Sequence, residues 1–226
     1  MKVAVITAIY DRYDELKPVE VAQVGVDVDY VFVTDDPNLE SMWSHLGWRV
    51  VYEPRPGVHP CRAAKRPKMR PQDYTNAEHS VWLDGSFRII NSHAVVDMLQ
   101  VAAEAEHGLA QFRHPWRQCW LDEAYASLEL EKYAGEAESI KKQISNCEYL
   151  VPLKSGLWAT GVIARYNHKD HEQWGKYWHS QCRLYSYQDQ ISHPIACWVN
   201  STWPGDLPGS HMHNQWVRYE GSGRHG

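Results

Sequence analysis

Three apolar runs that break abruptly into aspartate set the tightest limit on what this chain can become. VAVITAI (3–9) leads into Tyr10 and Asp11, YVFVTDD (30–36) ends on Asp35 and Asp36, and HSVWLDGSF (79–87) passes through Asp84, Gly85 and Ser86. Continuous hydrophobicity over this length marks strands covered on both faces, the geometry of a parallel sheet. WRVVYE (48–53), stopped by Pro54 and Pro56, and GLAQFRH (108–114) add two more strands, and HAVVDMLQVAAEAE (93–106) reads as an amphipathic helix between them. Strands alternating with helical stretches predict an α/β fold with a mostly parallel central sheet flanked by helices.

The second half is more helical. Residues 121–150 are good helix formers with Gly135 as the break, and 171–182 and 187–199 are further helices. GLWATGVIARY (156–166) supplies a late strand. A chain of 226 residues suits one substantial domain, here 1–200, followed by a tail of 201–226 rich in Gly, Pro and His. That tail is expected to be loop, placed to close over a site.

Composition removes several classes of function. A net charge of −5 argues against a protein that coats nucleic acid. No apolar run reaches the ~20 residues that span a bilayer, and the N-terminus turns polar too early for a secretory leader. Five scattered cysteines, never spaced as CxxC, fit reduced thiols and a cytoplasmic setting better than a disulfide frame. Eleven Trp and 13 Tyr against 3 Phe supply flat apolar faces with polar handles, suited to a core or to stacking on sugars and bases.

In open α/β sheets, ligands bind beyond the carboxyl ends of the strands. Those ends carry Thr7, Tyr10 and Asp11; Thr34, Asp35 and Asp36; Asp84, Gly85 and Ser86; and His114. Each aspartate alone could cap a turn or helix; their concentration points to a binding edge. RAAKRPKMR (62–70) places five cations, among them Arg66 and Lys68, in nine residues without an acid. Three readings stand: a diphosphate site completed by a divalent ion, a solvated face, or a nucleic-acid contact. HPWRQCWLDEA (114–124) gathers His114 and Glu123 at a strand-to-helix junction, with Glu123 also suited to answering the helix dipole. QDQIS (188–192) puts Asp189 and Gln190 at a helix start, where Asp189 is either an N-cap or a base aimed at an acceptor hydroxyl.

The series TAIYDRYDEL, FVTDDP, AKRPK, VWLDGSF, HPWRQCWLDEA, SGLWATGVIARYNH and YQDQIS, in that order, resembles a glycosyltransferase-like domain family. The family is known from plant proteins linked to pectin and mucilage polysaccharides and was first catalogued as a domain of unknown function. The resemblance runs from about residue 2 to 195 and implies a GT-A fold, Rossmann-like, that takes a nucleoside-diphosphate sugar with Mn²⁺ or Mg²⁺. It puts WLDGSF at the DxD position, with Asp84 as first acid and Ser86 where a second is usual. His211, His213 or His225 would then complete the metal site, and Asp189 in QDQ, where the family has an RDQ-like motif, would lie nearest the reacting sugar. The implied donor-binding residues are Thr7, Tyr10, Asp11, Asp35, Asp36, Arg66, Lys68, Asp84, Gly85, Ser86 and Gln190, and the implied catalytic set is Asp189, Glu123 and His114. The acceptor would be a glycan or small molecule. A nucleotide-sugar hydrolase, a non-catalytic binding module and an enzyme acting on modified DNA bases remain as alternatives.

Overall fold

The computed structural model describes residues 1–221. Its centre is an eight-stranded sheet. Strands β1 (Lys2–Ile9), β2 (Asp27–Thr34), β4 (Trp48–Tyr52) and β5 (His79–Leu83) pair in parallel, with β3 (Ser44–His45) reversed at the edge beyond β4. On the other side of β5 lies β8 (Trp158–Arg165), antiparallel to both β5 and β7 (Leu109–Arg113), and β9 (Gly205–Asp206) closes that edge parallel to β7. The sheet order is therefore β3-β4-β2-β1-β5-β8-β7-β9. It is a mostly parallel, Rossmann-like α/β arrangement compatible with a GT-A fold, as the strand pattern predicts.

Alternate residues of each strand feed opposite faces of the sheet. Val3 and Val5 pack with Val81 and Leu83 under α3 (Ala94–Glu104), which buries Val95, Met98, Leu99 and Ala102. Ala4, Ile6 and Trp82 face the other way, against Met69 and the indoles of Trp174 and Trp178. These last come from α6 (Glu172–Leu184), which packs beside α7 (Asp189–Asn200). A third cluster joins α7 to α4 (Trp120–Leu128) and α5 (Ala137–Cys147) through Trp120, Ile140, Ile191 and Ile195. All five cysteines are free, so this packing carries the fold without a disulfide.

Two local expectations change. HSVWLDGSF is not one strand: β5 stops at Leu83, the chain turns at Asp84–Ser86, and Phe87–Ile89 leaves as β6. The tail is not simply loop. Beyond β9, Val217–Tyr219 forms β10, which pairs antiparallel with β6. Leu207, Trp216 and Val217 are buried in the main core, so apolar side chains spaced among the Gly and Pro residues outweigh the loop-like composition.

The basic run forms two short helices, α1 (Pro60–Ala63) and α2 (Lys65–Met69). Gly175 of α6 lies so close to α2 that a Cβ there would sit 2.0 Å from the Met69 carbonyl oxygen. A glycine inside a helix costs about 1 kcal/mol relative to alanine; this one permits the close approach that sets α2 in place.

Candidate active site

Lys65 and Lys68 are three residues apart on α2 and share one helical face. That face points to the carboxyl end of β5 and the N-terminus of α7. Lys68, only 2% exposed, lies 2.6 Å from the Asp189 carboxylate and 3.1 Å from Asp84. Lys65 approaches the same Asp189 oxygen at 3.2 Å. Because β8 runs against β5, its early residues sit beside Asp84. The Asp84 N–H donates to the Gly161 carbonyl (2.8 Å), and Thr160 falls between the two acids. The Thr160 hydroxyl donates to Asp189 Oδ1 (3.1 Å) and accepts from Lys68 (3.3 Å), while the Trp82 indole N–H donates to Asp84 Oδ1 (2.7 Å). Two lysines, two aspartates, one threonine and one indole thus form a single connected network.

Charge is stable in this network despite its burial. Burial pushes the Asp189 carboxyl up, but Lys65 and Lys68 together outweigh it and hold it well below the usual carboxylate range. Burial also works against the Lys65 ammonium, and Asp189 with Asp84 overcomes it and raises its pKa. Gln188 is the N-cap residue of α7 and Asp189 its first helical residue, so the helix N-terminus adds to the stabilisation of this carboxylate.

The network stands at the junction of two connected chambers. The smaller, about 150 Å³, runs from the end of β1 past Tyr10 to Trp82 and Gly85. The larger, about 430 Å³, extends to Tyr187, Gln190 and His211, within the roughly 300–1,000 Å³ typical of small-molecule sites. Cys61, Lys65, Asp84 and Ser86 line both.

Several expected site residues lie elsewhere. Arg66 points away from the cleft to Asp73 (3.1 Å) and Glu53 (3.7 Å), because it occupies the opposite face of α2 from Lys65 and Lys68. Glu123 and His114 form a cluster apart from the cleft wall. Arg117 makes a short ion pair to Glu123, Gln188 donates to it at 2.8 Å, and His114 lies 3.6 Å away. Burial raises the Glu123 carboxyl despite Arg117, and burial with Arg117 drops His114 to about 4. They meet the cleft through two of its lining residues: Gln188, which donates to Glu123, and Trp116, whose ring His114 meets edge-on at 5.7 Å. Thr7 is buried within β1. Asp11 and Asp35 share Arg55, at 3.0 and 2.6 Å, and Asp11 takes a positive φ of 57° so that its N–H reaches Asp35 (2.7 Å). Asp36 pairs with Arg12 (2.9 Å) beside a separate pocket near β2. These aspartates close the strand-end turns instead of lining the cleft.

Of the three tail histidines, His211 lines the cleft. His213 sits in an exposed turn from Ser210, and His225 lies outside the described residues. Lys65 stands in the sequence as one cation of the 62–70 run, and Thr160 and Trp82 are not singled out there as site residues. The three-residue spacing of Lys65 and Lys68 was the available signal for the first; nothing local marks Thr160. The free basic face imagined for 62–70 is absent among the described residues. Arg62 pairs with Glu136 (2.8 Å) and donates to the Cys182 and Tyr185 carbonyls at the end of α6, Arg70 pairs with Asp73 (3.1 Å), and both lysines face Asp189.

No helix among the described residues is long and apolar enough to cross a membrane. A comparison with curated proteins gives no match. The carboxyl-end cleft, with an aspartate turn after β5 and a QDQ segment opening α7, agrees with the family comparison: the model for the TOD1/MUCI70, glycosyltransferase-like domain matches residues 1–198, and the chain belongs to that family.

Proposed function

We propose that the cleft binds a nucleoside-diphosphate sugar and transfers its sugar to a hydroxyl of a glycan acceptor. One observation carries this reading: two lysines, held by Asp189 and Asp84, at the junction of two chambers. The nucleoside occupies the smaller chamber at the end of β1, the diphosphate meets Lys65 beside Asp84, and the sugar enters the larger chamber towards Gln190. Glycosyl transfer builds negative charge on the departing diphosphate, and fixed cations in a half-closed site stabilise that charge at no cost in reorganisation. Asp189 orients both lysines and, with Asp84, favours the charged form of Lys65. Lys68, almost wholly covered, positions Asp84; Lys65, at the chamber wall, is the cation that touches the donor.

A divalent ion is a further part of the proposal. Among the described residues no group of three or more His, Cys, Asp or Glu gathers to hold one. Asp84 and His211 line the same chamber, and His211 Nδ1 is buried without a partner in the protein. Burial lowers the His211 pKa against the pull of Asp84, which keeps the imidazole neutral and able to ligate. One carboxylate and one imidazole fit Mg²⁺ or Mn²⁺ when phosphate oxygens and water supply the remaining ligands, the usual pattern for Mg²⁺. When bound, the ion would neutralise diphosphate charge next to Lys65.

Calorimetric titration of nucleoside diphosphates and of the matching nucleosides tests the donor site. Lys65→Ala is expected to weaken the diphosphate at least ~10-fold while leaving the nucleoside unchanged, consistent with loss of one charge-assisted contact. Equal losses for both ligands, or none, would remove the diphosphate from this position.

A further inference from the structure

The family model ends at residue 198, yet the segment beyond it supplies one wall of the larger chamber. His211, Met212 and Tyr219 line that wall together with Phe87 and Trp116. The segment is pinned at both ends: β9 adds to the main sheet, and β10 pairs with β6, setting Tyr219 directly opposite Phe87. Between them Asn214 accepts from the backbone N–H of Trp216 and Val217 and donates to the Ser210 carbonyl, and the Trp216 indole donates to Asp97 (3.0 Å). Arg88 joins Glu220 (2.7 Å) and Glu20 across the strap. What reads as a loop-rich tail is therefore a fixed surface.

Four rings of this wall form a continuous row, in which Phe87, only 6% exposed, backs the row from the core and Trp116, His211 and Tyr219 reach its surface. Trp116 meets His211 with centroids 6.4 Å apart, His211 meets Phe87 at 6.2 Å, and Phe87 meets Tyr219 at 5.5 Å, all edge-to-face. Trp116, at the open end, is 72% exposed, although a free indole of this size normally seeks cover. Neither a lysine nor an arginine belongs to the row. Lys65, across the chamber, faces the donor site, and Lys132 lies beside Tyr133 (5.2 Å to the ring centroid).

We propose that this row, with Trp116 as its outer anchor, is the acceptor subsite and that it selects an oligosaccharide of several pyranose rings bearing no charge. This rests on the glycosyltransferase reading of the cleft. A pyranose presents an apolar face of C–H bonds and a rim of hydroxyls, so it stacks on an aromatic ring while its hydroxyls stay in water or reach polar neighbours. A phosphorylated or otherwise anionic acceptor would find no cation along the row, and a single sugar would engage one of the three rings that reach the surface. The terminal hydroxyl of the bound chain would point inward, past His211 to the sugar held near Gln190.

Saccharide binding by the full chain, followed by saturation-transfer NMR and tryptophan fluorescence, tests this. The probes are glucose, the malto- and cello-oligosaccharides up to six units, and xylobiose through xylohexaose. At least one series is expected to bind more tightly with each added unit up to about three. Trp116→Ala is expected to weaken the tetramer at least ~10-fold, as truncation of an aromatic anchor does, while single sugars and nucleoside diphosphates change less than ~2-fold. Tyr219→Ala should remove part of the gain from added units without affecting the fold-diagnostic near-ultraviolet spectrum. Absence of binding by every series, affinity independent of length, or full affinity in Trp116→Ala would overturn the proposal. Length-dependent binding without turnover of any sugar nucleotide would leave the subsite standing and refute the transfer reading; turnover with no length dependence would do the reverse.

Discussion

Replacing Asp189 by asparagine keeps the shape of the network and removes the charge on which two cations depend. Asp189 and Lys68 have side chains only 5% and 2% exposed, and their oxygen and nitrogen lie 2.6 Å apart. Removing one partner from a buried pair generally costs about 3–5 kcal/mol, because the other charge stays buried without compensation. Here Asp84 remains 3.1 Å from Lys68, and asparagine can still accept from Thr160, so the loss belongs at the low end, about 3 kcal/mol. For a chain of this length that corresponds to a melting temperature lower by roughly 6–12 °C. The pH dependence carries a second signature. The folded carboxyl titrates below its unfolded value, so its contribution is complete above about pH 4 and fades as pH falls further towards the folded value. Wild type and Asp189→Asn should therefore converge in stability below pH 4. Scanning calorimetry from pH 3 to 8 reads both effects. Adding Lys68→Met to Asp189→Asn should restore part of the loss, since an apolar side chain needs no counter-charge. A variant melting within ~1 °C of wild type at pH 7, where the buried pair should count in full, would refute the reasoning.

Gly175→Ala should push α2 away from α6, because its Cβ would meet the Met69 carbonyl at 2.0 Å; nucleoside-diphosphate affinity is expected to fall along with melting temperature, although residue 175 touches no ligand. Arg66→Ala should leave diphosphate binding within ~2-fold of wild type, as a surface ion pair usually contributes little. Acid should destabilise the protein well before its carboxylates titrate. Burial lowers His168 and His171 to about 4, so the unfolded chain binds more protons between about pH 6.5 and 4, and stability drops across that window. His168 has neither ring nitrogen partnered within the protein, so His168→Leu should flatten the slope of melting temperature against pH over the same range; an unchanged slope would exclude it.

The sheet was legible because its strands are covered on both faces and carry long apolar runs, and the carboxyl-end location of the cleft followed from that. Asp84, Asp189 and Gln190 were readable as strand-end or helix-start polar residues, and Lys68 as a member of the basic run 62–70. What stayed hidden depends on partners distant in sequence. The difference between Lys65 and Arg66 is one step around a helix of five residues, and only the docking of α2 on Gly175 decides which face turns inward. Glu123 and His114 have the chemistry of catalytic residues, but Arg117 and Gln188 draw them into a supporting cluster. The tail misled because its composition is that of a loop, whereas Leu207, Trp216 and Val217, spread over eleven residues, dock it onto the core.

Release of nucleoside diphosphate from a panel of sugar nucleotides, measured with Mg²⁺ and Mn²⁺ and with glycan acceptors present, tests the central claim most directly. Wild type is expected to consume at least one of them, with the acceptor gaining the mass of the sugar. Lys65→Ala should turn over ~10²-fold more slowly, the scale on which a fixed electrostatic stabiliser of a leaving group acts. Consumption of none of the panel, or full turnover by Lys65→Ala, would contradict the claim.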